Sequence, residues 1–94
     1  MTKKRNLFTR DGLTELQEEL RVLHEEKRVE IAEKLKEAIS YGDLSENAEY
    51  QEARDEQAQV ELRIAELEEM LKSGNYDLID DEKIARRKKS GINV

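Results

Sequence analysis

Apolar residues recur along this chain in two helical stripes that are out of phase with each other, and that mismatch constrains the fold most. The first stripe runs Leu13, Leu16, Leu20, Leu23, Lys27, Ile31, Leu35 and Ala38. The second runs Tyr50, Ala53, Gln57, Val60, Ile64, Leu67 and Leu71. Steps of three and four keep each set on one helical face, and the consecutive steps of four in the first are a stutter in the heptad pattern. A single straight helix cannot show both stripes to one partner, because the second is displaced by one residue from a continuation of the first. Folded back, the stripes match. Leu16 then faces Leu71, Leu20 faces Leu67, Leu23 faces Ile64, Lys27 faces Val60, Ile31 faces Gln57, Leu35 faces Ala53, and Ala38 faces Tyr50. Each pair of numbers totals 87 or 88, which centres the reversal at residues 43 and 44, beside the turn-forming Gly42 and Asp43.

The expected fold is therefore all-α: an antiparallel two-helix coiled-coil hairpin over residues 9–75, with its turn near 41–45. Thr9 reads as the N-cap of the first arm, with Asp11 placed to suit the helix dipole. Ser73-Gly74-Asn75 reads as the stop of the second. No Pro interrupts the chain, so each arm can extend for about 45 Å at 1.5 Å per residue. Lys27 and Gln57 are polar seam positions, expected to fix register. His24 is expected on a solvated flank. Because the seams pair within one chain, the hairpin is expected to be a monomer.

Composition agrees with an elongated molecule. Charged residues make up 43% of the 94 and hydrophobic ones 36%, with one Phe and no Trp; such a chain has little to bury in a globular core. Without Cys, disulfides and thiolate zinc sites are excluded, and His24 has no second imidazole to share a metal. The apolar runs are too short for a signal peptide or a membrane span, which points to a cytoplasmic protein. The net charge of -6 is unevenly spread. Residues 9–72 carry nine bases against nineteen acids, so this segment is unsuited to non-specific duplex binding. Residues 1–8 read as a tail, and residues 76–94 as a disordered or linker segment. The basic run Arg86-Arg87-Lys88-Lys89 has no interleaved aromatics, so it reads as linker and not as a single-strand-binding patch.

Acids concentrate at the reversal: Glu37, Asp43, Glu46, Glu49, Glu52, Asp55 and Glu56, with Arg54 the one base between residues 37 and 56. Asp43-Leu44-Ser45-Glu46 reads as a capping box, with Asp43 as N-cap and Glu46 reaching back from N3. The same placement sets two carboxylates at an exposed apex. Mg2+ is commonly held by one or two carboxylates together with water and phosphate oxygens, so the pair could complete a site that a partner mostly supplies. Arg54 has no acid three or four residues away to pair with along its helix, and the register sets it near Lys34.

The run Gly42-Asp43-Leu44-Ser45-Glu46-Asn47-Ala48-Glu49-Tyr50, with Ala53-Arg54 and Arg63-Ile64-Ala65-Glu66-Leu67-Glu68 beyond it, resembles the Gre family of bacterial transcript cleavage factors. Thr9-Arg10-Asp11-Gly12-Leu13 and Glu18-Glu19-Leu20 fit the same pattern, and the resemblance covers roughly residues 7–80. It implies a hairpin that enters the secondary channel of RNA polymerase, where tip carboxylates help the polymerase hydrolyse the 3′ end of backtracked RNA. On that resemblance Asp43 and Glu46 are the catalytic-assisting pair and share an Mg2+ ion with the polymerase in the complex, with no cofactor in the chain alone. Arg54, Lys34 and Arg28 are then candidate RNA contacts, and the chain assists the polymerase without being an enzyme itself.

The sequence departs from the family at Val29, where members often carry Pro, a change expected to affect only local helix geometry. The family also has a second, β-containing domain of FKBP-like fold, so residues 76–94 are expected to lead toward a domain this sequence lacks. Two other functions fit the same architecture: a related inhibitor that plugs the channel, and a purely structural coiled coil.

Overall fold

The computed structural model describes residues 5–79. In chain order the elements are strand β1 (Asn6–Phe8), helix α1 (Arg10–Val22), a π-helical turn (Leu23–Lys27), helix α2 (Arg28–Ser40), helix α3 (Ala48–Met70) and strand β2 (Tyr76–Leu78). Val22, Leu23, Lys27 and Arg28 all keep right-handed helical dihedrals, so α1, the π turn and α2 form one continuous ascending arm. Helix α3 descends beside it and is the antiparallel partner expected from the seams. No helix among the described residues is long and apolar enough to cross a membrane.

The ascending arm starts as the sequence indicates. Thr9 is extended, and its hydroxyl accepts the Gly12 N–H at 3.0 Å. Between the arms the buried residues are Ile31, Ala38, Ala53, Val60, Ile64 and Leu67. Ile31, Val60 and Ile64 form one cluster with Leu20, Leu23 and Leu35 packed on it; the seam residues meet across the arms as expected, but Ile31 packs with Val60 and Ile64, where the expected register set it against Gln57. Forked ion pairs bridge the arms on either side of this cluster. Arg63 Nε and Nη2 reach Glu19 at 2.6 and 3.0 Å, and Arg28 Nε and Nη2 reach Glu61 at 2.8 and 2.6 Å. The guanidiniums hold the Glu19 and Glu61 carboxyls below their usual pKa. Such forks demand one geometry, so they reinforce the register that the apolar seam sets.

Lys27 departs from expectation. It is exposed, with its ammonium 3.4 Å from Glu30, and does not sit in the seam against Val60. The π turn is the reason. Leu23 and Ile31 are eight residues apart, one more than two heptad-type turns; the wider turn absorbs the extra residue, returns Ile31 to the seam and turns Lys27 outward. Gln57 stays half-buried and accepts from Arg54 Nη1 at 3.4 Å. His24 is a flank residue but not a free one: Nδ1 is 2.9 Å from Arg28 Nη1, and Nε2 is 3.8 Å from Glu68.

At the open end the two segments read as tail and linker pair with each other. Strands β1 and β2 run parallel, with Asn6 opposite Tyr76, Leu7 opposite Asp77 and Phe8 opposite Leu78. Phe8 and Tyr76 bring their ring centroids to 5.6 Å, and Arg5 reaches Asp77 at 2.8 Å. Parallel strands require a long crossover, and here the whole hairpin supplies it. The stop after α3 is as expected: the helix ends at Met70, Gly74 takes φ 93°, and Asn75 Nδ2 donates to the Glu69 carbonyl at 2.7 Å. The basic run at residues 86–89, and the rest of the expected linker from residue 80 onward, lie outside the described residues.

Candidate functional site

The apex is built from residues 41–47, and its backbone explains its shape. Helix α2 ends at Tyr41, whose N–H donates to the Ala38 carbonyl at 3.1 Å. Gly42 then takes φ 76° and Asp43 φ 38°, two successive left-handed residues that turn the chain off the helix axis. Gly accepts that region without a Cβ penalty, and Asp is among the few side chains that tolerate it. A turn closes from Asp43 to Glu46, where the Glu46 N–H donates to the Asp43 carbonyl at 3.2 Å.

The expected capping box is therefore not formed. Asp43 is four residues too early, and the N-cap of α3 is Asn47, whose Oδ1 accepts the Tyr50 N–H at 3.0 Å. The amide's other end donates from Nδ2 to the Ala38 carbonyl at 2.7 Å. One side chain thus starts the descending arm and adds a second donor to the Ala38 carbonyl, which also accepts from the Tyr41 N–H at the end of the ascending one. An Asp at this position could not do both, because a carboxylate has no proton to donate. A signal for this was present in the sequence, since Asn is as good an N-cap as Asp and Glu49 follows in the first turn. The Asp-Leu-Ser-Glu pattern, beginning four residues earlier, obscured it.

Relieved of capping, Asp43 and Glu46 are both exposed at the apex. The Ser45 hydroxyl donates to Asp43 Oδ1 at 3.0 Å; neither carboxylate has an ion-pair partner among the described residues. No group of three or more His, Cys, Asp or Glu among the described residues could hold a metal ion by itself. What the apex offers is two hard anionic donors with open sides. That donor set fits Mg2+, which keeps several waters and takes few protein carboxylates.

The candidate RNA contacts are placed differently from one another. Arg28 is engaged by Glu61, and Lys34 Nζ is 3.1 Å from Glu56. Among the described residues Arg54 meets only the Gln57 amide oxygen, at 3.4 Å, and its charge faces none of their carboxylates at close range. Lys34 also lines a shallow hollow of about 230 Å³ between the arms, with Glu37, Glu49, Glu52, Ala53 and Glu56. The structure gives Lys34 and Arg54 separate partners, Glu56 and Gln57.

Comparison with known proteins comes to the same part of the chain. The GreA/GreB N-terminal family, described as "Transcription elongation factor, N-terminal", matches residues 6–74. The chain is similar to "Transcription elongation factor GreA" of Clostridium novyi, with 51% identity over 82 residues, or 87% of this chain and 50% of that protein. The protein of the same name from Thermoanaerobacter pseudethanolicus is 55% identical over 78 residues, covering 83% of this chain and 48% of its own length. That of Clostridium perfringens is 48% identical over 85 residues, covering 90% and 52%. The chain thus spans about half the length of the relatives it matches.

Proposed function

We propose, from the premise that this chain belongs to the N-terminal family of the GreA and GreB transcription elongation factors, that its hairpin enters the secondary channel of RNA polymerase and promotes cleavage of backtracked RNA. The observation that carries the reading is the pair of exposed carboxylates, Asp43 and Glu46, left without ion-pair partners at the end of a rod whose cross-arm acids are matched to bases. A structural linker between two helices needs turn residues only.

In this reading the chain is a monomeric cytoplasmic accessory and the polymerase is the enzyme. The two long arms carry the apex to a centre that a flat surface could not reach. Asp43 and Glu46 supply anionic oxygens beside the RNA 3′ end. The hydrogen bond from Ser45 fixes one Asp43 oxygen and leaves the other free to bind. Asp43 and Glu46, together with groups of the polymerase, would hold Mg2+, which when bound would supply Lewis acidity for the hydrolysis. Arg54 is the candidate for a phosphate of the extruded strand, because it does not first have to leave a carboxylate. Lys34 and Arg28 join it only by exchanging Glu56 and Glu61 for phosphate.

The test combines Asp43→Asn and Glu46→Gln in the full-length protein and follows RNA hydrolysis in a stalled complex across a Mg2+ titration. Both changes remove charge while keeping shape. The expected result is lost cleavage stimulation at low Mg2+, partial recovery at high Mg2+, unchanged helicity and retained polymerase binding. Normal cleavage by the double variant at low Mg2+ would overturn the assignment. Wild-type protein that binds and blocks without stimulating cleavage would be a channel-plugging inhibitor. Failure to co-sediment with core polymerase would leave only a structural coiled coil.

A further inference from the structure

The chain has four aromatic residues, and three of them are used in packing. Phe8 and Tyr76 pair at the base with centroids 5.6 Å apart, and Tyr50 is half-buried in the seam. The fourth, Tyr41, is 61% exposed at the apex, two residues before Asp43. Nothing in the hairpin's own packing accounts for a large apolar ring there. Its hydroxyl donates to Glu37 Oε1 at 3.0 Å, one helical turn back, which tethers the ring to the end of α2.

We infer that Tyr41 is a positioning residue that stacks on an unpaired nucleobase at the RNA 3′ end and so holds the scissile phosphate beside Asp43 and Glu46. This rests on the proposed transcript-cleavage function. The chemistry suits an acidic tip. A nucleic acid approaching these carboxylates is repelled through its phosphates, and a neutral aromatic face offers attraction that carries no charge. Every base has a π face, so such a platform accepts any 3′ nucleotide, as single-strand binders do with their aromatic residues. The tethered hydroxyl limits the orientations the ring must lose on binding. The work of the apex is thereby divided, with carboxylates for the metal and the ring for the base.

The experiment uses full-length protein with stalled complexes whose RNA ends in either a normal or an abasic 3′ nucleotide. Tyr41→Ala is expected to lower single-turnover cleavage of the normal RNA by about five- to 150-fold, the range of base–aromatic stacking. Tyr41→Phe, which keeps the ring, is expected to stay within about threefold of wild type on that scale. Raising Mg2+ should not rescue the alanine variant, which separates it from changes at Asp43 and Glu46. On abasic RNA, wild type and Tyr41→Ala should cleave equally. Equal losses on both RNAs would overturn the inference and assign Tyr41 a contact with the polymerase protein. Unchanged cleavage of normal RNA by Tyr41→Ala would also overturn it. Failure of the proposed function looks different, because wild-type protein then stimulates cleavage of neither RNA.

Discussion

Along the shaft, acids and bases are interlocked. Glu19 meets Arg63, Glu61 meets Arg28, Glu18 and Glu25 converge on Arg21, and Glu30 meets Lys27. Around the apex the pattern reverses: of the seven acids between residues 37 and 56, only Glu56 has a basic partner among the described residues. Both regions are rich in charge and both face water, so composition alone does not tell them apart. What differs is whether the charge is used inside the molecule. The shaft's charges help define register. The apex holds its charges on a backbone with two successive left-handed residues, one of them Asp43. A non-Gly residue at positive φ is uncommon, and such positions cluster at functional sites.

If the shaft carries stability and the apex carries function, substitutions in the two should separate on a stability scale. The largest effect is expected at Leu67, which is fully buried between the arms. Leu67→Ala should cost about 2–5 kcal/mol, from lost transfer energy plus the cavity left behind. Thermal melts followed by circular dichroism check this, and a cost under about 1 kcal/mol would mean that the seam is not packed as described.

A middle-sized effect separates the two halves of the apex itself. Asn47→Ala should cost about 1–2 kcal/mol, because it removes the N-cap of α3 together with the donor to the Ala38 carbonyl. Asp43→Asn should change stability by less than about 0.5 kcal/mol, since Asn also tolerates the left-handed region and can still accept from Ser45. A larger loss at Asp43 than at Asn47 would restore the capping box and break the distinction between the two residues.

The smallest effect concerns the cross-arm ion pairs. Glu19→Gln should cost under about 1 kcal/mol at neutral pH, as expected for a solvent-screened pair, and less in high salt. Glu18, Glu19 and Glu61 have folded-state pKa values below their ordinary 4.5. Their contribution is therefore complete above that value and is lost as pH falls below it, through the lower folded-state pKa. Melting temperatures measured from pH 7 down to pH 3 should fall in that acid range, less steeply for Glu19→Gln than for wild type. An identical acid slope in the two proteins would show that the Glu19–Arg63 fork contributes nothing to folding.

The arms, their direction and the place of the reversal were determined by the sequence itself. A seam buried on one face repeats its signal at every turn of helix, so seven facing pairs agreed on one centre, and the seam residues Ile31, Val60 and Ile64 are buried between the arms. The exposed acids of the apex were equally legible, because a charge with no packing function leaves the pattern of its neighbours intact. Three things only the tertiary structure decided. The choice between Asp43 and Asn47 as cap depended on the Ala38 carbonyl, nine residues back across the turn, to which an amide can donate while capping and a carboxylate cannot. The π turn that expels Lys27 depended on α3, since an extra residue in a helix matters only when both sides of it must meet the same partner. Strands β1 and β2 each have three residues and a partner about 70 positions away. So short a strand has almost no local preference, and it forms because the hairpin has already brought the two ends together, sparing most of the loop-closure entropy.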